Sequence, residues 1–221
     1  MSKKSTIKIT CPKCGKESDF EVWESINTKI DPEAKQKVRS AELFAFTCPD
    51  CGNKTSVDYG FLYHQQEDKI WIQYCNSDEN LAESLKFFSS SDKEEDEIVK
   101  GLRADKYIIR LVRSRNHLIE KLRIFDCGLN DMVIEVIKLI SAGNFKSTDP
   151  DKRVADALFD VSPEGKYVIF YINTEGDFFA SSEFPKELYD GLYENFKEKF
   201  PDPREGELVI DAQWAFKAMQ G

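Results

Sequence analysis

Two short motifs in the first quarter of the chain have the residue types and the spacing of a metal site. Cys11 and Cys14 lie in CPKCG, and Cys48 and Cys51 lie in CPDCG. In each motif two thiolates three positions apart can converge on one ion, while the proline sets the φ angle of the turn and the glycine tolerates a positive φ. Four thiolates in a tetrahedral array are the closed structural coordination of zinc. The motifs therefore predict one four-cysteine metal site, with zinc as the expected metal.

Two other chemistries use paired cysteines. A thioredoxin-like dithiol needs one Cys-x-x-Cys at a strand-to-helix junction, whereas this chain has two, each preceded by a strand-like run. The sequence therefore disfavours a dithiol. Iron is harder to exclude, because a four-thiolate tetrahedron suits both ions and rubredoxins use similar paired motifs. A rubredoxin-like iron electron carrier stays open as an alternative.

The segments that flank the two motifs repeat one another. Apolar residues alternate on both sides of each motif: Ile7, Ile9, Phe20 and Val22 around the first, and Leu43, Phe44, Phe46, Val57, Tyr59 and Phe61 around the second. Such duplication predicts two β-hairpin halves that face each other across the metal. A short helix is expected between them, with Asp31 as N-cap, Pro32 at the first position and Glu33 in the first turn. KIWIQY at 69–74 is predicted to be a closing strand.

These residues resemble a known family. CPKCG, CPDCG, the helix that starts at DPE and the run VDYGFLYH are similar to the CpXC domain family, a prokaryotic group, so a bacterial origin is expected. The resemblance covers about the first 75 residues, and LVRSRNHLIEKLRIFDCGLNDMVIEVIK resembles the continuation in longer members. It implies metal binding by Cys11, Cys14, Cys48 and Cys51, and it implies no particular activity.

The fold class predicted for the whole chain is α+β, in three parts. Residues 1–76 form the zinc-ribbon-like β domain, 77–103 an acidic, serine-rich linker with short helical pieces, exposed at 89–97, and 104–221 an α+β domain. In that last part we expect a strand at 106–112, helices capped by Ser114 and Asn130 and stopped by Gly128 and Gly143, an antiparallel meander with Gly165 and Gly176 in its turns, a helix near 186–200, a strand at ELVID and a C-terminal helix.

The charge distribution bears on the partner. Net charge is -9, and residues 148–221 carry 8 basic and 16 acidic side chains, whereas only 101–127 has a basic excess, with 7 against 3. General nucleic-acid binding is therefore disfavoured, because a polyanion needs a basic surface. The basic candidates are Arg110, Arg113, Arg115, Lys121 and Arg123, and the favoured interpretation is that they pair with acidic residues of the same chain. A nucleic-acid module that uses this stretch is the second alternative.

The remaining candidates for chemistry are few. His64 and His117 are the only histidines, and four thiolates leave neither of them a coordination position to fill. Cys75 and Cys127 are expected to be buried thiols. The aromatic residues expected to pack as core rather than as a ligand platform are Tyr59, Phe61, Tyr63, Trp71 and Tyr74.

No P-loop, GxGxxG, HExxH or GxSxG motif is present, and no spaced acid and base set indicates a catalytic cleft. With no apolar run of membrane-spanning length, the expected compartment is the cytoplasm. We therefore expect a non-enzymatic cytoplasmic protein with one Zn²⁺ per chain. Its structural site would stabilise a ribbon domain that recognises a protein partner.

Overall fold

The computed structural model of the protein describes residues 2–89 and 97–220. Most of the segment predicted to be an exposed linker, 89–97, lies outside the described residues. The fold is α+β, as predicted, and the chain divides into two compact units, Met1–Ile119 and Glu120–Gly221. None of the helices in the described part of the chain is long and apolar enough to cross a membrane.

The first unit is built on a mixed five-stranded sheet with the strand order β1-β2-β5-β6-β7. Its strands are β1 (Lys3–Thr10), β2 (Glu17–Asn27), β5 (Phe61–Gln65), β6 (Ile70–Tyr74) and β7 (Ile108–Val112), and the shorter β3 (Ala45–Thr47) and β4 (Lys54–Ser56) form a separate two-stranded ribbon. Its helices are α1 (Pro32–Arg39), α2 (Asp78–Ser89) and α3 (Glu97–Ala104). The predicted hairpins, the inserted helix after Asp31 and the closing strand are all present.

Alternation along β5 and β6 decides which side chains form the core of this unit. Phe61 and Tyr74 pack against Phe44 with ring centroids 5.9 and 6.4 Å away, and Tyr59 joins them at 5.5 Å from Phe44. Trp71 differs from the prediction because it pairs with His64 on the opposite face of the sheet. Successive residues of a strand point to opposite faces, so Trp71 cannot join the Phe61 and Tyr74 cluster.

The strand β7 extends this sheet. It pairs in parallel with β6, from Ile70 opposite Ile108 to Tyr74 opposite Val112, and all five of its residues are buried. The sequence predicts a domain boundary near residue 104, whereas the compact units meet at Ile119 and Glu120, within α4 (Arg115–Asp126). The difference arises because β6 offers an open edge, and a pairing between distant segments leaves no local trace in sequence.

Gly60 precedes β5 at a point where the backbone leaves no room for a side chain. A Cβ atom there would lie 2.6 Å from the carbonyl oxygen of Tyr74 and 2.9 Å from Oδ1 of Asn76. We expect Gly60→Ala to lower the free energy of unfolding by about 1–3 kcal/mol, because a backbone oxygen must move to make room. Urea unfolding followed by circular dichroism measures this loss.

Gly143 provides the matched control for that substitution. It lies inside a helix, and a Cβ atom there would meet none of the described atoms within 4 Å. Gly143→Ala should therefore stabilise the protein by about 0.5–1 kcal/mol, since alanine is the better helix former. Equal effects of the two substitutions would contradict the close approach at Gly60.

The second unit contains the predicted antiparallel meander. Its elements after α4 are α5 (Asp131–Thr148), β8 (Asp156–Val161), β9 (Tyr167–Ile172), β10 (Phe178–Phe184), α6 (Lys186–Phe196) and α7 (Ala212–Gln220), and the strand order is β10-β9-β8. Gly165 and Gly176 lie in the two turns with φ of 81° and 89°, as predicted. The caps are confirmed too: Ser114 Oγ accepts the N–H of His117, and Asn130 Oδ1 accepts that of Met132.

Two predictions for the second unit are wrong, namely the end of α5 and the strand at 207–211. α5 continues past Gly143 to Thr148, and the ring of Phe145 beyond it packs 4.7 Å from Tyr171 and 5.6 Å from Phe179. That packing outweighs the cost of about 1 kcal/mol for a glycine inside a helix. Within the described chain, residues 207–211 form no strand. Ile210 is nevertheless buried in the core of the unit. The apolar residues of ELVID therefore indicate burial rather than strand pairing.

Candidate metal centre

The first cysteine motif forms the turn between β1 and β2. The N–H of Cys11 donates to the carbonyl oxygen of Lys16 and the N–H of Gly15 donates to that of Cys11, both at 2.9 Å. Gly15 has φ of 73°, the left-handed conformation that a side chain disfavours. The turn therefore closes on itself and brings Cys11 and Cys14 together at the tip of the hairpin.

The second motif repeats this turn between β3 and β4. The N–H of Cys48 donates to Asn53 and the N–H of Gly52 donates to Cys48, again at 2.9 Å, and Gly52 has φ of 69°. The two motifs therefore place their cysteines by the same backbone geometry. This confirms the prediction of two hairpin turns built alike.

The four sulfurs of the two turns form one cluster. All four Sγ atoms lie within 4.8 Å of one another, with Cys11 to Cys51 and Cys14 to Cys48 each at 3.7 Å. A tetrahedral ion with metal–sulfur bonds of about 2.3 Å requires sulfur–sulfur separations of roughly 3.8 Å. Both short separations run between the turns, so the residues fit a four-thiolate metal site that would link one hairpin to the other.

The surroundings of the four cysteines are unequal. Cys11 and Cys48 are each only 1% exposed and pack against Phe46 in a small apolar cluster. The residues that pack around this cluster are Ile9, Phe20, Cys51 and Val57. Cys14 is exposed. One side of the cluster therefore rests on apolar side chains and the other side meets solvent.

The electrostatics of the cluster favour a cation. The N–H groups of Cys14 and Lys13 face the Cys11 sulfur and, against the effect of burial, lower the pKa of Cys11 to about 6. The Lys16 N–H acts in the same direction on Cys14, but partial desolvation of its sulfur and the three neighbouring sulfurs outweigh it and raise the pKa of Cys14 to about 12. Adjacent thiolates repel each other, so a positive ion among the sulfurs would stabilise their charged form.

One ion pair joins the two turns outside the sulfur cluster. Lys16 Nζ lies 2.6 Å from Asp50 Oδ1, and the lysine is 63% and the aspartate 35% exposed. A pair this accessible contributes about 0–1 kcal/mol. This ion pair therefore adds little to the contact between the two hairpins.

The other sequence candidates lie apart from the cluster. His64 Nε2 is 3.0 Å from the hydroxyl of Tyr107, and burial lowers the pKa of its imidazole. His117 lies in the first turn of α4. Burial raises the pKa of both Cys75 and Cys127, so neither has the lowered pKa of a reactive thiol. Cys75 is buried as expected, whereas Cys127 is only partly buried and packs against the core of the second unit.

The basic stretch does not form one continuous patch. Arg110 and Lys121 are buried. Arg113 pairs with Asp78 and Arg123 Nε lies 2.8 Å from Asp160 Oδ1, so these two arginines meet acidic groups of the same chain, as predicted. Arg115 bonds to Ser56 Oγ and lies 5.3 Å from the centre of the Phe44 ring.

An ionic cluster between α4 and α5 was not predicted from the sequence. Lys121 Nζ lies 3.0 Å from Asp131 and 3.1 Å from Glu135, and Lys138 Nζ lies 2.9 Å from Glu120 and 3.0 Å from Glu135. Each of the five residues is at most 5% exposed. A signal existed, because Asp131, Glu135 and Lys138 follow a spacing of four and three and so share one face of a helix.

Comparison with known proteins agrees with the four-cysteine cluster. A family model described as CpXC protein matches residues 9–138. The match includes both cysteine motifs and continues through α4 into α5, so it also covers the segment 111–138 that resembles the continuation in longer members. No curated protein and no solved structure matches the chain. Since the family model spans more than half of the chain, the protein belongs to the CpXC family.

Proposed function

We propose that Cys11, Cys14, Cys48 and Cys51 bind one zinc ion and that the ion has a structural role. The observation that carries this proposal is the convergence of four sulfurs from two hairpin turns, with separations of 3.7 Å between the turns. A structural zinc site contributes about 10–16 kcal/mol to the folding of a small domain. The ribbon strands β3 and β4 have three residues each, so they have little pairing of their own to hold them.

The ligand set supports a structural rather than a catalytic ion. A catalytic zinc keeps a coordination position for water or substrate, whereas four protein thiolates complete the tetrahedron. Neither histidine of the chain belongs to the sulfur cluster. We therefore propose a protein that is not an enzyme, in which the metal holds two hairpins together as a scaffold.

A protein is the partner that we propose for this scaffold. The basic residues that a nucleic-acid module would use are buried or lie against acidic or aromatic groups of the same chain. The net charge of -9 also opposes a polyanionic partner. Recognition of another protein by the metal-stabilised ribbon suits a site without an open coordination position.

Metal analysis of the purified full chain tests the first step of the proposal. We expect one zinc per chain and no visible absorption, in protein expressed without added metal. Stoichiometric iron with thiolate-to-iron charge-transfer bands would contradict zinc and support the electron carrier instead. A chain with four titratable thiols and no metal would overturn both.

A further inference from the structure

The two cysteine motifs differ in one respect that matters for reactivity. Cys14 and Cys51 occupy equivalent positions as the second cysteine of each turn. Cys51 packs against the apolar cluster around Phe46, whereas Cys14 is exposed. The backbone of the turns is the same, so the contrast arises from what surrounds each sulfur rather than from the turn itself.

We propose that Cys14 is a modification site, the position at which soft electrophiles and hydroperoxides attack the metal centre. This inference rests on the proposed function, because it concerns the metal-bound form of the four cysteines. A cysteine bound to zinc is held as the thiolate, which is the nucleophilic form of the side chain. Accessibility then decides which of four thiolates reacts.

The accessibility of the four ligands separates them clearly. Cys11 and Cys48 are 1% exposed, and Cys51 is shielded in part by the cluster that contains them. An electrophile must bring its reactive atom within bonding distance of the sulfur, which needs open space in front of the sulfur. Of these four cysteines, Cys14 alone is exposed.

With hydrogen peroxide the reaction takes two steps. The Cys14 sulfur attacks one peroxide oxygen, an S–O bond forms, the O–O bond breaks and the departing hydroxide takes a proton to become water. The thiolate of Cys48, whose sulfur is 3.7 Å away, then attacks the Cys14 sulfur. An S–S bond forms, and the second oxygen leaves as hydroxide and is protonated to water.

The electron balance has a consequence for the metal. Two thiolates together give up two electrons, and these reduce one peroxide to two waters with two protons from solvent. A disulfide sulfur is a poor ligand, so the ion loses Cys14 and Cys48 at once and should dissociate. The new bond would run from the first turn to the second, so the hairpins would stay linked after the metal has left.

The first experiment compares the two equivalent cysteines directly. The zinc-loaded full chain is treated with limiting N-ethylmaleimide, and modified peptides are quantified by mass spectrometry over time. We expect Cys14 to be modified several-fold faster than Cys51, and faster than the buried Cys75. Modification of Cys51 at the same rate as Cys14, or faster, would overturn the proposal.

The second experiment follows metal release. Hydrogen peroxide is added in the presence of a zinc-binding dye, and non-reducing peptide mapping identifies the disulfide. We expect loss of the bound zinc together with a Cys14–Cys48 disulfide, whereas a bond between Cys11 and Cys14 would contradict the role given to Cys48. If the purified chain holds no metal, the proposed function fails. If it holds zinc and Cys14 shows no preference, only this inference fails.

Discussion

Replacement of Cys48 by serine is expected to abolish metal binding and to unfold the two-stranded ribbon. Cys48 is buried beside Phe46, and its sulfur is 3.7 Å from that of Cys14. Serine would leave three thiolates and a hydroxyl that is a weak ligand for zinc. Because structural zinc contributes about 10–16 kcal/mol to folding, most of the stability of the ribbon should disappear with it.

The measurement for Cys48→Ser has two parts. Metal analysis should show almost no bound metal. Hydrogen exchange should show lost amide protection in β3 and β4 and retained protection in β8, β9 and β10. Cys75→Ser is the matched control, because Cys75 is also buried but contacts Ser84 rather than the sulfur cluster. A Cys48→Ser protein with unchanged metal content would contradict the four-thiolate site.

Replacement of Glu135 by glutamine should destabilise the second unit by more than the loss of an exposed ion pair does. Glu135 Oε1 lies 3.1 Å from Lys121 Nζ and 3.0 Å from Lys138 Nζ, and all three side chains are buried. The substitution keeps the shape of the side chain but takes a negative charge from between two buried ammonium groups. Lys121 keeps Asp131 and Lys138 keeps Glu120 as partners, so we expect a loss of about 1–3 kcal/mol, less than the cost of leaving a buried charge with no partner at all.

Glu183→Gln is the control for this substitution. Glu183 Oε2 lies 2.8 Å from Lys166 Nζ, and both side chains are more than half exposed. We expect this exposed pair to contribute at most about 1 kcal/mol, because water screens both charges. Urea unfolding followed in the second unit by hydrogen exchange should separate the two variants. Losses of similar size would contradict a special role for the buried cluster.

The same residue makes the stability of the second unit sensitive to acid. Burial alone would raise the pKa of Glu135, but Lys138 and Lys121 outweigh it and hold the pKa below the ordinary value of 4.5. A carboxyl group with a lowered folded-state pKa stabilises the fold fully above its unfolded pKa, and this contribution is lost as pH falls through the folded value. The unfolding free energy should therefore fall in acid.

Lys138 acts in the opposite pH range. Burial would lower the pKa of its ammonium group, but Glu120 and Glu135 raise it above the ordinary 10.5. Its contribution is present below the unfolded pKa and is lost only as pH rises through the folded value. Stability should therefore be level around neutral pH, and Glu135→Gln should weaken the acid dependence. An identical acid dependence in both proteins would contradict this assignment.

Local chemistry explains what was predictable in this fold. Gly15 and Gly52 adopt the positive φ that CPKCG and CPDCG indicate, because five residues are enough to define such a turn. Asn130 caps its helix and Gly165 turns its hairpin for the same reason. In each case the residues that determine the conformation are neighbours in the chain.

Pairings between distant segments explain what was not predictable. The parallel contact of β7 with β6 depends on an edge left open by other strands. Lys121 looked like part of a basic stretch, but it is buried because Asp131 and Glu135 meet it across two helices. The burial of a charged residue depends on partners that its own sequence neighbourhood does not contain.

The metal site combines both kinds of information. The sequence by itself determined the four cysteines and the two turns that carry them, because turn geometry is local, and it predicted their convergence, because four cysteines of a tetrahedral site would share one ion. Only the tertiary structure decided that Cys51 rests on an apolar cluster while Cys14 meets solvent. The physical reason is that the accessibility of each sulfur depends on how Phe20, Phe46 and Val57 from three separate segments pack together. Two motifs of the same pattern do not determine that packing.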